Sequence, residues 1–398
     1  MLYFSNCKDK RGADIKSYNL VILGAGASGL MLGSQLVEKG FEDLVIIDHN
    51  PRIGMKIKVS GGGKCNVTNE VVNHDNYLGE SAFVASVLQR YRPSQLLEFL
   101  KQRGVRPKIR SLGQYFCKKS ADEVIDALAQ RLPKRKFLLS HTILRVDKDK
   151  EYVIHTDKAK IRAKHLVIAT GSSAYPQVGG SDIGLKLASE LGHSYERFTP
   201  VLVGWTVQKE QFWMKELSGI SSYVGIDVGH KTLFGDLLFA HKGISGPAVL
   251  SASLYWKKGL VKIDFLPKLG LKEALKEKKR QISTQLDLPK RLCKLLLESI
   301  GVEDKAVQAL SQEEWRKLSA LKSYEMSPAG NFGLKKAEAC RGGVATSEID
   351  AATMQSRIHD NLYFIGEVVD VTGELGGYNF QWAFSSAVVC AEALEKTS

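Results

Sequence analysis

The residues Asn19-Leu-Val-Ile-Leu-Gly-Ala-Gly-Ala-Ser-Gly-Leu30 constrain the fold more than any other stretch of the chain. Leu20 to Leu23 is a short apolar run of branched side chains, which reads as a strand of a parallel sheet buried on both faces. Gly24, Gly26 and Gly29 follow as G-x-G-x-x-G, and Leu30 to Glu38 then runs at helical period. In this pattern the first glycine permits a sharp turn, the second lets a pyrophosphate approach the backbone, and the third lets helix and strand pack closely. The helix N-terminus behind them offers free N–H groups and a positive dipole end to phosphate. A second apolar run, Leu44 to Ile47, ends in Asp48, where a carboxylate can accept hydrogen bonds from an adenosine ribose. Strand, glycines, helix, strand and acid in that order predict a dinucleotide-binding α/β fold.

With 398 residues the chain has room for two or three domains. The apolar and charged fractions, 44% and 25%, are those of a globular protein. No apolar run approaches the roughly 18 residues of a membrane span, so no membrane partner is expected. The first 17 residues read as a polar N-terminal extension without a signal-peptide core. The six cysteines are scattered, with no C-x-x-C and no metal-ligand spacing, which predicts a reducing, cytoplasmic setting and no metal site. The net charge of +13 is concentrated: residues 89–150 hold 16 Lys and Arg against 6 Asp and Glu. Such a stretch is either a solvated basic face or a footprint for a polyanion, and RNA is the polyanion that suits so wide a surface.

Beyond Asp48 the stretch His49 to Asn69 contains Pro51, Gly54 and the triplet Gly61-Gly62-Gly63. Successive glycines let a backbone lie against a flat ligand, while Asn66, Thr68 and Asn69 could hydrogen-bond it and Lys56 could neutralise phosphate. Residues 81–104 read as helix, 105–116 as short strands, and 120–132 as a helix with Ser120 as N-cap and Glu123 three positions on. Phe137 to Val146 and Tyr152 to Thr156 alternate like a hairpin. Leu166 to Ala169 is a further buried strand, stopped by Thr170-Gly171, with Ser181 or Asp182 capping the helix that follows. Residues 195–335 read as an inserted domain, small strands followed by the basic, helical stretch Leu271 to Leu318. The nucleotide domain resumes over 336–398 with the last strand Leu362 to Ile365, the turn Gly366-Glu367, and Gly376-Gly377 ahead of a C-terminal helix. A helix N-terminus there suits a ring that gains negative charge on reduction, as a flavin does.

These segments together make the chain resemble the BaiN-type family of bacterial NAD(P)/FAD-dependent oxidoreductases, sometimes labelled aminoacetone oxidases. The resemblance runs from Tyr18 to Leu394, and its most specific parts are Ser60 to Asn69, Gly243 to Pro247 and Gly373 to Ser386. It implies a discontinuous, glutathione-reductase-type FAD-binding Rossmann-like domain, residues 18–194 and 336–398, carrying an inserted barrel-like and helical domain. It further implies FAD contacts at Ser28, Asp48, Lys56, Ile57 and Thr68, at Ile143 on the adenine side, and around Glu367, Asn379 and Phe380. With the glycines Gly24, Gly26, Gly29, Gly62, Gly171, Gly366 and Gly377 and with Thr170, these form the expected cofactor site. The chain departs from the family pattern at Lys64, where arginine is usual, and at Asp48, where glutamate is common. It departs again at Ala240 and Lys242, which flank His241 where threonine and an aromatic are common.

The expected reaction is reduction of a C=C bond next to a carbonyl, with hydride from the flavin N5 to the β-carbon and a proton from an acid to the α-carbon. Cys65, Tyr378 and His241 are the candidate acids. Steroid-like enones and uracil in ribosomal RNA both carry such a bond. No second glycine fingerprint follows the first, so a separate NAD(P)H domain is not expected: either NAD(P)H visits the flavin transiently or another donor reduces it. An FAD oxidase acting on a small amine or ketone, and a non-catalytic RNA-binding flavoprotein, are the competing readings.

Overall fold

In a computed structural model that describes residues 7–8 and 14–396, the glycine fingerprint joins strand β1 (Asp14–Leu23) to helix α1 (Ala27–Glu38). Leu20 to Leu23 have no exposed surface, as a run without polar alternation requires when both faces of its sheet are covered. Strand β2 (Leu44–Ile47) pairs parallel to β1, and the short edge strand β3 (Phe137–Leu138) pairs parallel to β2. An antiparallel hairpin of β4 (Ile143–Lys148) and β5 (Tyr152–Thr156) comes next, followed by the long β6 (Lys160–Ile168). One edge of β6 pairs parallel with β1. Its other edge serves two neighbours: β5 along Lys160–Ala163, and β7 (Leu362–Phe364) along Leu166–Ile168. Five parallel strands thus end in register at Leu138, Ile47, Leu23, Ile168 and Phe364. Ligands of open parallel sheets bind beyond such carboxyl ends, so this edge is where the site must lie.

Helix α2 (Tyr378–Glu395) follows β7 and packs on α1 and on the helix Ser81–Arg90. Most of its residues are buried, including Gln381, Ser385 and Ser386, which marks it as an interior helix.

Among the described residues, those up to 199 together with those from 339 onward form one compact unit and residues 200–338 another. The second unit holds a seven-stranded antiparallel sheet, from Tyr324–Met326 at one edge to Gly330–Asn331 at the other. Helix Pro247–Tyr255 packs on its central strands Ser221–Val228 and Lys231–Ala240. Trp205, Phe239 and Phe265 are buried in that core.

Local details differ from the sequence expectation for identifiable reasons. The stretch 81–104 is two helices, Ser81–Arg90 and Pro93–Gln102, because Pro93 lacks the N–H a continuing helix needs and instead starts the second one. The third helix spans only Asp122–Ala129, and the Glu123 carboxylate accepts from the Lys119 N–H rather than completing a box with Ser120. Asp182 precedes helix Ile183–Glu190 without a side-chain cap. Phe137–Leu138 leaves the expected hairpin and joins the parallel sheet. Strand β1 begins at Asp14, so part of the expected extension belongs to the sheet; residues 1–6 and 9–13 lie outside the described residues. The basic stretch 271–318 forms three short helices rather than one long run, Leu271–Ala274, Lys290–Ser299 and Gln312–Leu318, with Pro289 opening the second. No helix among the described residues is long and apolar enough to cross a membrane.

Candidate functional site

The fingerprint glycines divide into two kinds. A Cβ at Gly24 would lie 2.3 Å from the Ala169 carbonyl oxygen, and one at Gly29 would lie 2.0 Å from the Gly24 oxygen. Both are glycine because strands and helix meet there. A Cβ at Gly26 would meet no protein atom within 4 Å, so its missing side chain leaves room for something other than protein. Gly62 and Gly63, at φ +63° and +82° in the glycine triplet, face open space in the same way. Helices α1 and α2 both start on a glycine, Gly26 and Gly377, with no side-chain cap and no acidic residue in the first turn. Open glycine backbone and two uncapped helix N-termini fit an extended, phosphate-bearing dinucleotide such as FAD.

Asp48, at the end of β2, is 9% exposed. Its Oδ2 accepts the Ala25 N–H at 2.7 Å and its Oδ1 accepts the Asn50 N–H at 2.7 Å. The carboxylate therefore shapes the glycine turn itself, and each oxygen keeps further acceptor capacity for a ribose hydroxyl. Ser28, in the first turn of α1, packs on Gly366, where a Cβ would lie 2.5 Å from its Oγ. Gly366 stands at φ +73°, its N–H donates to Ser386 Oγ at 3.0 Å, and its carbonyl accepts from Trp382 Nε1 at 3.0 Å. The turn after β7 is thus pinned to both α1 and α2.

Several polar side chains expected to face the ligand are committed to protein instead. Lys56 Nζ lies 2.6 Å from Glu367 Oε2, so its charge is already matched rather than free for phosphate. Thr68 Oγ1 donates to Gln381 Oε1 at 2.6 Å, and Asn69 Nδ2 donates to the carbonyls of Leu112 and Gly376, each at 3.1 Å. Asn379 clamps Gly373 through both ends of its amide, at 2.8 and 2.9 Å. The Thr170 hydroxyl has no hydrogen-bond partner and points at Gly184, where a Cβ would lie 2.2 Å away. Thr68, Asn69 and Asn379 thus donate to protein, whereas the Thr170 hydroxyl keeps its hydrogen-bonding capacity. Gly171 stands at φ +71° with a Cβ position clear of protein up to Glu367 Oε2 at 4.0 Å, whereas Gly377, at φ +95°, packs on the Thr68 main chain, where a Cβ would lie 2.6 Å away. Ile57 and Ile143 are buried at 1% and 7%, and Phe380 stacks on Phe384 with ring centroids 6.0 Å apart.

The candidate acids separate clearly. Cys65 has no exposed surface and burial pushes its thiol pKa up, which fits a packing residue. Cys117, Cys293, Cys340 and Cys390 are likewise free and buried. His241 is exposed in the second unit, in the turn between strands Lys231–Ala240 and Gly243–Ser245. Tyr378 opens α2 beside Gly376, half-buried, with its ring edge-on to Tyr77 at 6.0 Å. Burial, and then the nearby Glu374 carboxylate, raise its phenol pKa, which keeps the proton on the oxygen at neutral pH.

Gln381 is the main residue that sequence reasoning missed. It is fully buried, and its Nε2 donates to the Tyr91 carbonyl at 2.9 Å and to Ser385 Oγ at 3.0 Å while its Oε1 holds Thr68. Its only signal in the sequence is a glutamine within an otherwise apolar helix, Phe380 to Phe384.

Comparison with known proteins agrees with this geometry. Residues 18–393 match the family described as HI0933-like protein Rossmann domain. The chain is 36% identical over 394 residues to a Haemophilus influenzae protein named ribosomal RNA dihydrouridine synthase, covering 94% of this chain and 98% of that one. An Escherichia coli protein of the same name is 36% identical over 395 residues, covering 96% and 98%. The Clostridium scindens 3-dehydro-bile acid delta(4,6)-reductase is 30% identical over 404 residues, covering 94% and 98%. Among solved structures, the E. coli quinol fumarate reductase FrdA superposes with a TM-score of 0.50 at 15% identity, over 96% of this chain and 70% of that one, a likeness of fold alone. The chain therefore belongs to the HI0933-like family of Rossmann-fold, FAD-dependent oxidoreductases.

Proposed function

We propose that this oxidoreductase reduces the C5=C6 bond of uridine in RNA, ribosomal RNA first of all, to dihydrouridine, with NAD(P)H as electron donor. The relatives' names describe one kind of chemistry on two substrates, dihydrouridine formation in ribosomal RNA and reduction of a 3-dehydro bile acid at its delta(4,6) bonds. In both, the reducible bond is conjugated to a carbonyl, so hydride arrives at the β-carbon and a proton at the α-carbon. FAD, when bound, supplies the two-electron transfer between nicotinamide and that bond.

The chain's own residues supply the rest. The uncapped N-terminus of α1, with the open backbone at Gly26, would take the pyrophosphate, and Asp48 the adenosine ribose. The N-terminus of α2 would place its positive end against the ring, where negative charge collects on reduction. Tyr378 Oη is the proposed proton donor: it is neutral at working pH and sits at the start of that helix.

One observation carries the choice of RNA over a free enone. Arg106, Lys108, Arg110, Lys118 and Lys119 are all exposed, and among the described residues none of their side chains pairs with a carboxylate. A small enone, even one bearing a single carboxylate, has no use for so wide a surface, whereas a phosphate backbone does.

Mass spectrometry of ribosomal RNA nucleosides from a strain deleted for the gene tests the reading. Dihydrouridine should fall in the deletion strain and return when the gene is supplied on a plasmid. An unchanged level in the deletion strain contradicts it.

A further inference from the structure

A base inside an RNA stack is out of reach of any active site, so an enzyme acting on it must extrude it, and the gap left behind is commonly filled by an apolar side chain. Leu112 has the form of such a side chain. It is 76% exposed, more than any other large hydrophobic among the described residues, and it stands at the tip of the turn between strands Lys108–Ile109 and Gln114–Phe116. Ile109, on the first of those strands, is 49% exposed. Leu112 also holds φ +61°, a region that L side chains seldom adopt. A polar residue or glycine would satisfy both the exposure and the backbone better, so nothing in the fold explains a leucine there.

The turn is hydrogen-bonded internally and tied to the candidate site. Arg110 N–H donates to the Gln114 carbonyl and Glu70 N–H to the Gly113 carbonyl, each at 2.8 Å. The buried Asn69 amide donates at once to the Leu112 carbonyl and to the Gly376 carbonyl, each at 3.1 Å. Gly376 is the residue against which Tyr378 packs. A single side chain therefore couples the leucine tip to the start of α2.

Charge around the tip is mainly positive, with Glu70 beside Gly113 as the adjacent carboxylate. Elsewhere in the basic stretch several cations are paired locally: Arg90 pairs with Glu392, Arg103 and Arg131 share Glu38, and Arg135 and Lys136 share Glu42. Near the tip, Lys108 lies opposite Phe116 in the hairpin, and the Arg110 guanidinium sits over the Phe116 ring at 4.7 Å. That ring reaches the glycine triplet, where a Cβ at Gly61 would lie 3.1 Å from it. Lys64 and Lys118 flank the backbone bond from Cys117 N–H to the Lys64 carbonyl, and Lys119 follows. The carboxylates nearby are Glu70 beyond the turn, Asp122, which pairs with Lys58, and Glu123, which accepts from the Lys119 N–H.

Resting on the RNA reading above, we propose that the hairpin 108–116 is the element that opens the substrate RNA: its cations hold the phosphates and Leu112 fills the place of the extruded uridine. The test uses the full-length flavin-bound protein and ribosomal RNA isolated from the deletion strain, with dihydrouridine formation and RNA affinity both measured. Leu112→Gly should retain flavin absorbance and melt no earlier than the parent, because glycine is at ease at this φ, yet form dihydrouridine at least about ten-fold more slowly. Leu112→Phe should restore most of the rate. Replacing Lys108, Arg110, Lys118 and Lys119 together by alanine should weaken RNA binding and lower the slope of log affinity against log salt by about 3, whereas alanines at Lys276, Lys278 and Lys279 in the second unit should leave that slope unchanged. A Leu112→Gly protein that modifies RNA at the parental rate, or an unaltered slope in the fourfold variant, overturns the assignment while leaving RNA as the substrate. Failure of the parent protein to bind or modify the RNA overturns both.

Discussion

Lys56 and Glu367 are 311 positions apart in the chain and meet at 2.6 Å, Nζ to Oε2. The other Glu367 oxygen accepts the Cys340 N–H at 3.3 Å, so one carboxylate gathers the short helix after β2, the turn after β7 and the strand Ala339–Val344. Elements from both ends of the sequence are held together at the carboxyl edge of the sheet by this contact.

Glu367→Ala should therefore loosen the cofactor site without unfolding the chain. A charge-assisted hydrogen bond of this kind contributes about 2 kcal/mol, or about 30-fold in an equilibrium constant. Titration of the flavin-free protein with FAD, followed by flavin fluorescence, should show a dissociation constant raised by about that factor. An unchanged constant would mean the pair does not hold the site.

Two glycine substitutions should fail in opposite ways. Gly29→Ala forces a Cβ to 2.0 Å from the Gly24 oxygen and should destabilise the protein by about 3 kcal/mol in urea unfolding. Gly26 has φ −86° and open space around it, so Gly26→Ala should fold with normal stability but purify colourless. If Gly26→Ala keeps its flavin, the pyrophosphate does not lie where we place it.

His165 should make the fold acid-sensitive. It is 2% exposed in β6 with an unpartnered Nδ1, and burial pushes its pKa down to about 4, with Lys164 adding to the shift. The unfolded chain takes up a proton at this residue near pH 6.5 and the folded chain does not, so stability falls as pH drops from about 6.5 toward 4, by up to about 3 kcal/mol. His165→Leu should flatten that part of the stability profile. Burial lowers the His193 pKa as well, which leaves a residual slope in the same direction. Parallel profiles for parent and variant would contradict this account.

Tyr378→Phe should retain the flavin and lower kcat by about 100-fold, the ordinary contribution of a positioned general acid. Because the phenol pKa is raised, this group should impose no loss of rate with rising pH below about 10. A variant as fast as the parent would pass the proton role to another group.

The parallel sheet was legible because its strands are unbroken apolar runs, each ending in a glycine, an acid or a Thr-Gly pair at the edge where a ligand must sit. Phe137–Leu138 was misplaced because a two-residue edge strand carries no periodicity of its own. The polar residues near the site were visible as residues but not as contacts. Thr68 meets Gln381 across 313 positions and Asn69 meets Gly376 across 307, and local spacing holds no record of such partners. Neither the burial of Cys65 nor the exposure of Leu112 had a signature in local spacing.

The central claim is that electrons pass from nicotinamide through this protein to a uracil double bond. Its most direct test is anaerobic: the purified protein is reduced with one equivalent of NADPH or NADH and mixed with ribosomal RNA from the deletion strain, while flavin absorbance and dihydrouridine are followed together. We predict that the oxidised flavin spectrum returns with one dihydrouridine formed per flavin. A flavin that stays reduced in the presence of the RNA and reoxidises only when oxygen is admitted would contradict the claim and favour an oxidase.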